Sequence, residues 1–141
     1  MGRREQHKKK EVRKAERSVA RRLGSPTKGT YEPPNRDECR HKRWEVAYDD
    51  ANTIRLQFLL WRKDAKLAEF VVNVQVLTSE GWKTVEHFDC CHGHYHLHPK
   101  SGRQRARSIM RLDGVDDVQR AYVLVEQEAH ERARIIRGEG A

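Results

Sequence analysis

Cysteine and long apolar runs are both scarce in this chain of 141 residues, which holds three cysteines. Two of them, Cys90 and Cys91, are neighbours, and adjacent cysteines rarely form a bridge. The cysteine content therefore argues against a disulfide framework and fits reduced thiols in the cytoplasm. Apolar runs extend over only a few residues, as at 58–61, whereas a membrane span needs roughly 20. The basic start is followed by no apolar stretch of the signal-peptide type, so we expect a cytoplasmic protein without a membrane partner.

Positive charge is concentrated in residues 1–28. This stretch has eleven Lys or Arg against three Glu, and it accounts for the whole formal net charge of +8. The remaining 113 residues balance 18 basic with 18 acidic side chains. A basic arm on a neutral domain is the electrostatic pattern expected for a polyanion partner, most often nucleic acid. A solvated extension that only aids solubility is the alternative that composition leaves open.

Composition also places a boundary between this arm and a folded domain. Residues 24–37 contain Gly24, Pro26 and the pair Pro33-Pro34, which is the composition of a linker. Within the arm, a narrow apolar stripe recurs at helical spacing at Val12, Ala15, Val19 and Leu23. We expect residues 1–37 to form a basic arm and linker, partly disordered and with some helix, and residues 38–141 to form a single domain.

Four stretches of the domain alternate apolar and polar side chains with the period of a β-strand. Separated by polar turns, they span residues 44–48, 54–60, 70–76 and 82–88. Short turns join antiparallel strands, so the pattern predicts a meander with one buried face. The residues predicted to be buried on that face are Ile54, Leu56, Phe58, Val72, Val74 and Val76. A fifth segment, residues 92–98, either continues the fourth strand or forms a separate edge strand that Pro99 ends. Residues 100–111 are predicted to form a basic loop.

One long helix is predicted after this loop. Apolar residues recur there at helical spacing, at Val118, Ala121, Tyr122, Val125, Ala129 and Ile136. Asp113 is the predicted N-cap, and Gly138 is the predicted end. Because the apolar face of the sheet needs a cover, we predict an α+β domain, a four- to five-stranded antiparallel meander covered by one C-terminal helix.

Histidine is the residue type whose placement is most unusual. Four of the eight histidines occupy every second position of the fifth segment, at His92, His94, His96 and His98. In an extended strand this period puts all four imidazoles on one face, about 6.5 to 7 Å apart along the chain. Imidazole transfers protons near neutral pH and also binds transition metals, so the segment is the predicted functional site.

Proton transfer without a metal is the first interpretation of the histidines. Two imidazoles on one face can straddle a phosphodiester, one taking a proton from the attacking hydroxyl and the other giving one to the leaving oxygen. Asp89 precedes them and can fix a tautomer by accepting the second ring N–H. The predicted catalytic residues are His92, His94, His96 and Asp89. The predicted substrate-binding residues, most of them basic and able to hold phosphate, are His98, Lys100, Arg103, Arg105 and Arg107.

Two other interpretations remain open. Histidines at alternate strand positions can ligate zinc or another divalent transition metal, and the candidate ligands are then His94, His96 and His98. Asp89 or a thiolate of Cys90 or Cys91 is the alternative third ligand. The histidines can also be simply exposed on an edge strand and hydrogen-bonded to water. His87 lies in phase with Asp89 on the preceding strand, but a bend at 90–93 can change the register, so His87 is a further candidate that stays outside the predicted set.

The stretch from the fourth strand into the histidines resembles a family motif. Residues 82–98 lead from a Trp- and Val-bearing strand through Phe-Asp to His-Gly and further histidines, which resembles small bacterial domains of the TumE type and related actinobacterial domains. The positions that match the motif are Asp89, His92, Gly93 and His96. Two histidines, His94 and His98, are extra or shifted, and the pair Cys90-Cys91 departs from the motif. The resemblance covers roughly residues 42–98, and TumE-type domains are considered toxins of toxin–antitoxin pairs. It implies RNA as the target and an antitoxin protein as a partner.

Two functions therefore follow from the sequence as hypotheses. The leading one is a toxin-like endoribonuclease that needs no cofactor, with the basic arm adding nonspecific affinity for RNA. The alternative is a non-enzymatic nucleic-acid-binding module whose histidines form a structural or regulatory metal site. Sensitivity of RNA cleavage to a chelator distinguishes the two.

Overall fold

The fold is built on one antiparallel sheet whose strand order equals the order of the strands in the chain. The computed structural model describes residues 29–90, 93–99 and 107–138. A short 3-10 turn at Arg36–Glu38 precedes the sheet, and a helix, α1 (Val115–Gly138), follows it. The six strands are β1 (Arg40–Ala47), β2 (Ile54–Lys63), β3 (Lys66–Thr78), β4 (Gly81–Asp89), β5 (His94–His98) and β6 (Arg107–Arg111).

The alternation of apolar residues builds the two central strands. Phe58 pairs with Val72 and Leu56 with Val74 across β2 and β3, so their side chains leave the same face of the sheet. All of the predicted core positions on these strands are buried, namely Ile54, Leu56, Phe58, Val72, Val74 and Val76. A tight turn at Asp64 and Ala65, both with positive φ, joins the strands.

Helix α1 covers this apolar face, as predicted. It packs chiefly across β3, and its buried positions include the predicted stripe, Val118, Ala121, Tyr122, Val125, Ala129 and Ile136, together with Ala133. The domain is therefore α+β, with a sheet and one covering helix in the part that the structure describes. That helix is not long and apolar enough to cross a membrane.

The predicted strand count of four to five is corrected to six. The sixth strand, β6, lies within residues 100–111, which the sequence pattern assigned to a basic loop. Within β6 only Ile109 and Met110 are apolar, and an arginine stands at each end of the strand, so the segment is too short for a clear alternation. Pairing with β5 makes it a strand and buries Met110. As a result, β5 lies between two strands rather than at an edge.

The residue that caps the start of helix α1 also differs from the predicted one. Asp113 lies outside the helix, and one of its carboxylate oxygens accepts from Arg111 Nε at 3.0 Å. Asp117, in the first turn, reaches back to accept from the backbone N–H groups of Asp113 at 2.9 Å and Gly114 at 3.3 Å. This is the reciprocal half of a capping box, and a carboxylate in that place also suits the helix dipole.

The described end of the predicted linker is packed on the domain. The Gly29 N–H donates to the carbonyl of Gly93 at 3.2 Å, and the Tyr31 N–H donates to the carbonyl of Leu112 at 3.0 Å. A Cβ at Gly29 would lie 1.9 Å from that Leu112 oxygen, so only glycine fits there. The predicted basic arm, residues 1–28, lies outside the described residues.

Candidate functional site

The face of the sheet that points away from helix α1, here called the distal face, brings histidines of two strands together. The register pairs His87 of β4 with His98 of β5, and Asp89 with His96. Since side chains on one strand alternate between faces, all four of these leave the distal face. His94 follows in phase on β5. The site therefore comes from two strands, whereas the sequence pattern located it mainly in one.

Asp89 lies at the centre of this cluster. Its Oδ2 is 3.2 Å from His98 Nε2 and 3.7 Å from His87 Nε2. Its Oδ1 is 3.5 Å from His96 Nδ1. One carboxylate thus faces three imidazoles, and its two oxygens face different partners. The shortest of these contacts, to His98, is within hydrogen-bonding distance.

The imidazole rings of the cluster contact one another in two ways. His87 and His98 are stacked, with ring centroids 4.0 Å apart and an interplanar angle of 9°. His96 stands edge-on to both strand neighbours, with centroids 6.0 Å from His98 and 5.2 Å from His94. His94 Nε2 is buried and has no hydrogen-bond partner in the described part of the chain. His94 therefore serves in this geometry as a packing neighbour of His96.

Partial burial sets the electrostatics of the site. The side chains are 19% exposed at His96, 21% at Asp89, 35% at His98 and 38% at His87, so a small ligand can reach them. Burial lowers the pKa of His96, and the nearby Asp89 carboxylate opposes this effect. Burial also lowers the pKa of His87, with the neighbouring His98 acting in the same direction.

A row of amides extends from the histidines across the distal face. Asn73 pairs with His87 in the register, and its Nδ2 donates to Gln57 Oε1 at 2.8 Å. Gln57 Nε2 in turn donates to Glu45 Oε1 at 3.1 Å. These bonds tie β1, β2 and β3 together beside the site and present a polar surface next to the imidazoles.

The core beneath the site fixes the two strands that carry it. Phe88 and Tyr95 alternate with the site residues, are fully buried, and have ring centroids 5.8 Å apart. Cys90 follows β4 and is buried, with its sulfur accepting from the Phe70 N–H at 3.2 Å. A packed core on one face leaves the side chains on the other face little freedom to change register.

The fold brings some of the predicted site residues together. Asp89, His94, His96 and His98 lie together on the distal face. His92, Lys100, Arg103 and Arg105 lie outside the described residues. Arg107 pairs with Leu97 at the start of β6, and its side chain is not described. These assignments of roles remain predictions.

His87 is the residue of the cluster that the predicted set omitted. Its phase is the signal, since it lies two residues before Asp89 on the same strand, and the bend expected at 90–93 comes after both residues. The predicted metal ligands were His94, His96 and His98. The described ligand atoms that all lie within 4.8 Å of one another belong instead to His87, Asp89 and His98. Asp89 Oδ2 is 3.2 Å from His98 Nε2. The imidazoles of β5 lie farther apart, with the ring centroids of His96 and His98 separated by 6.0 Å.

Comparison of the chain with protein-family models, with curated proteins and with solved structures found no match. The chemistry of the site is therefore the basis of the functional argument.

Proposed function

We propose that this domain cleaves RNA without a metal ion and that His96 and His98 are its proton-transfer pair. The observation that carries the proposal is the Asp89 carboxylate between these two imidazoles, with Oδ1 facing His96 Nδ1 at 3.5 Å and Oδ2 facing His98 Nε2 at 3.2 Å. A carboxylate that accepts one ring N–H of a histidine fixes its tautomer and orientation. We assign proton exchange with the substrate to the second nitrogen of each ring, Nε2 of His96 and Nδ1 of His98.

The spacing of the two rings suits a phosphodiester held between them. Their centroids are 6.0 Å apart and both side chains are partly exposed. One neutral imidazole takes the proton of the ribose 2′-hydroxyl as its oxygen attacks phosphorus. The other, as imidazolium, gives a proton to the 5′-oxygen as the P–O bond to that oxygen breaks. The products are a 2′,3′-cyclic phosphate and a free 5′-hydroxyl, and the two histidines end with their protonation states exchanged.

RNA is the substrate that best fits this chemistry. Its 2′-hydroxyl is a nucleophile already attached beside the reacting phosphorus, so no metal-bound hydroxide is needed. The eleven Lys or Arg in residues 1–28 supply nonspecific attraction to a polyanion. The resemblance to TumE-type toxins also favours RNA, and it adds an antitoxin protein as the proposed partner.

The remaining predicted residues have supporting roles in this proposal. Lys100, Arg103, Arg105 and Arg107 hold phosphate near the histidines and stabilise the charge that develops on its oxygens. His94 supports the ring of His96, against which it packs edge-on. His92 remains a further candidate for proton transfer. A substitution in this basic segment is expected to raise KM through the lost phosphate contact and to lower kcat through the lost charge stabilisation.

Cleavage assays in chelator test the proposal. Labelled RNA and DNA of one sequence are incubated with the full chain in EDTA, and the RNA ends are analysed for 2′,3′-cyclic phosphate. We expect RNA to be cut and DNA to stay intact. His130→Gln is the matched control, because His130 is an exposed histidine on helix α1. Absence of RNA cleavage, equal cleavage of DNA, or a strict need for added metal would each contradict the proposal.

A further inference from the structure

The histidine cluster contains a second arrangement, which uses His87 and leaves His96 aside. The Nε2 atoms of His87 and His98 both face Asp89 Oδ2, at 3.7 and 3.2 Å. We propose that His87, Asp89 and His98 bind a divalent transition-metal ion of the zinc type, and that this ion inhibits the RNA cleavage proposed above. The inhibitory part rests on the proposed function, whereas the metal site stands independently of it.

The distances match those of a tetrahedral metal site. Ligand atoms about 2.0 to 2.2 Å from a tetrahedral ion lie about 3.3 to 3.6 Å from one another. The two nitrogen–oxygen distances of 3.2 and 3.7 Å are within a few tenths of an ångström of that separation. All three ligand atoms also lie within 4.8 Å of one another. Rotation of the side chains would bring these three atoms onto one ion.

Both imidazoles already present Nε2 to the same carboxylate oxygen, Asp89 Oδ2. Their rings are stacked at 4.0 Å with an interplanar angle of 9°, so the rings must tilt towards each other for their Nε2 lone pairs to converge on one ion. Two neutral imidazoles can stack at this distance without charge repulsion, and neutral imidazole is the form that binds a metal. Two nitrogens and a carboxylate oxygen form a ligand set that zinc and other divalent transition metals accept.

A contact between Asp89 and His96 and an open side complete the site. The other oxygen of Asp89, Oδ1, faces His96 Nδ1 at 3.5 Å, which is the outer contact that commonly orients a ligating carboxylate. His87 and His98 are each more than a third exposed, so the ion can enter from solvent. Water can supply a fourth ligand on that side.

The proposed ion and the proposed proton transfer both require His98 and Asp89. A metal on His98 Nε2 leaves the ring proton on Nδ1, and such an imidazole cannot take up a second proton. The ion also occupies the Asp89 oxygen that would orient His98. Binding of the ion therefore removes one member of the proton-transfer pair, and zinc is expected to inhibit cleavage.

Zinc titration of the full chain tests the site directly. Protein freed of metal with EDTA and then dialysed is titrated with ZnCl₂ by calorimetry, with His87→Gln as the test variant and His130→Gln as its control. We expect wild-type protein and His130→Gln to bind zinc with equal affinity. Loss of an outer-shell partner typically weakens metal binding about 10- to 100-fold, so loss of a ligand in His87→Gln should weaken it by about 100-fold or more. Melting in EDTA shows whether each variant is folded, and His87→Asn replaces His87→Gln if the glutamine variant is unfolded.

Cleavage assays on the same proteins test the inhibition. Each protein's rate in EDTA is its own reference, and relative to that rate His87→Gln should lose the inhibition that zinc causes in the wild type and in His130→Gln. Unchanged zinc affinity in folded His87→Gln, or no zinc binding by the wild type, would overturn the metal site. Equal inhibition of His87→Gln and the wild type by zinc would overturn the inhibitory role. Zinc binding without any cleavage in EDTA would support the metal site and refute the proposed function. Cleavage in EDTA without zinc binding would refute the metal site and support the proposed function.

Discussion

Glu86 and His87 are neighbours on β4, and their side chains leave opposite faces of the sheet into opposite environments. Glu86 is 1% exposed beneath helix α1, and both of its oxygens accept from Arg132, at 2.6 Å each. His87 lies on the distal face, stacked on His98. The buried pair ties the helix to β4, while the next residue belongs to the candidate site. The packing of helix α1 and the position of His87 are thus linked through strand β4.

Breaking the Glu86–Arg132 pair should destabilise the domain without touching the site. Arg132→Ala leaves a buried carboxylate without its bidentate partner, which typically costs about 3 to 5 kcal/mol. Because Arg132 is itself partly exposed, we expect a value near the lower limit. Denaturant unfolding measures the change, and Arg134→Ala, which removes an exposed arginine of the same helix, should be close to neutral. Similar stabilities of the two variants would contradict this role of the pair.

Removal of the central carboxylate or of one imidazole should abolish catalysis and preserve the fold. Asp89→Asn and His96→Ala remove the orienting group and one proton-transfer group, and loss of a general acid or base typically costs about 10² to 10⁴ in rate. Both residues lie on the distal face outside the apolar core, so circular dichroism should stay unchanged. Rates of RNA cleavage in EDTA provide the measurement. A folded Asp89→Asn variant with full activity would show that the carboxylate has no part in the reaction.

The core that supports the site should be sensitive to truncation. Phe58 is 4% exposed and contacts Trp44 and Tyr122 with its ring. Phe58→Ala should lower the free energy of unfolding by about 3 to 5 kcal/mol, because it removes buried area and leaves a cavity. Leu77→Ala, at a strand position that is 46% exposed, is the control and should have little effect. Denaturant titration of both variants separates the effect of removing a buried side chain from that of shortening any side chain on a strand.

The turn between β1 and β2 should make stability depend on pH. Asp49 accepts from the Thr53 N–H at 2.8 Å, from the Ile54 N–H at 3.2 Å and from the Thr53 hydroxyl. The Thr53 side-chain bond, followed by these backbone bonds, lowers the pKa of Asp49 below its ordinary value of 3.8. A lowered folded-state pKa means that this stabilisation is present above pH 3.8 and is lost as the pH falls through the folded value. Asp49→Asn should therefore be less stable than the wild type at neutral pH, and the difference should shrink in acid. A difference independent of pH would contradict the assignment.

The basic arm should determine how RNA binding responds to salt. Deleting residues 1–28 removes eleven cationic side chains, and each lost phosphate contact should reduce the log–log salt slope by about 0.7 on single strands. Binding titrations at several salt concentrations give the slope, and the melting temperature should barely change. An unchanged slope would show that the arm only aids solubility.

Much of the fold could be predicted from local pattern. The alternation in β2 and β3 identified Ile54, Leu56, Phe58, Val72, Val74 and Val76 as buried, and all of them are. The helical stripe from Val118 to Ile136 identified the covering helix. Patterns of period two and 3.6 are local properties of the chain, because they follow from which side chains must avoid water on one face of an element.

The neighbours of the histidines were decided by tertiary structure. The alternation of His94, His96 and His98 predicted a shared face, but it could not say that His87 stacks on His98 or that Asp89 lies opposite His96. Strand β6 likewise becomes regular only through its pairing with β5. Register depends on the turn between two strands and on core packing beneath both, and a shift of one residue would move His87 and Asp89 to the opposite face. The sequence by itself determined that histidines would line one strand, and only the packing of Phe88 and Tyr95 in the core decided which carboxylate and which fourth imidazole they meet.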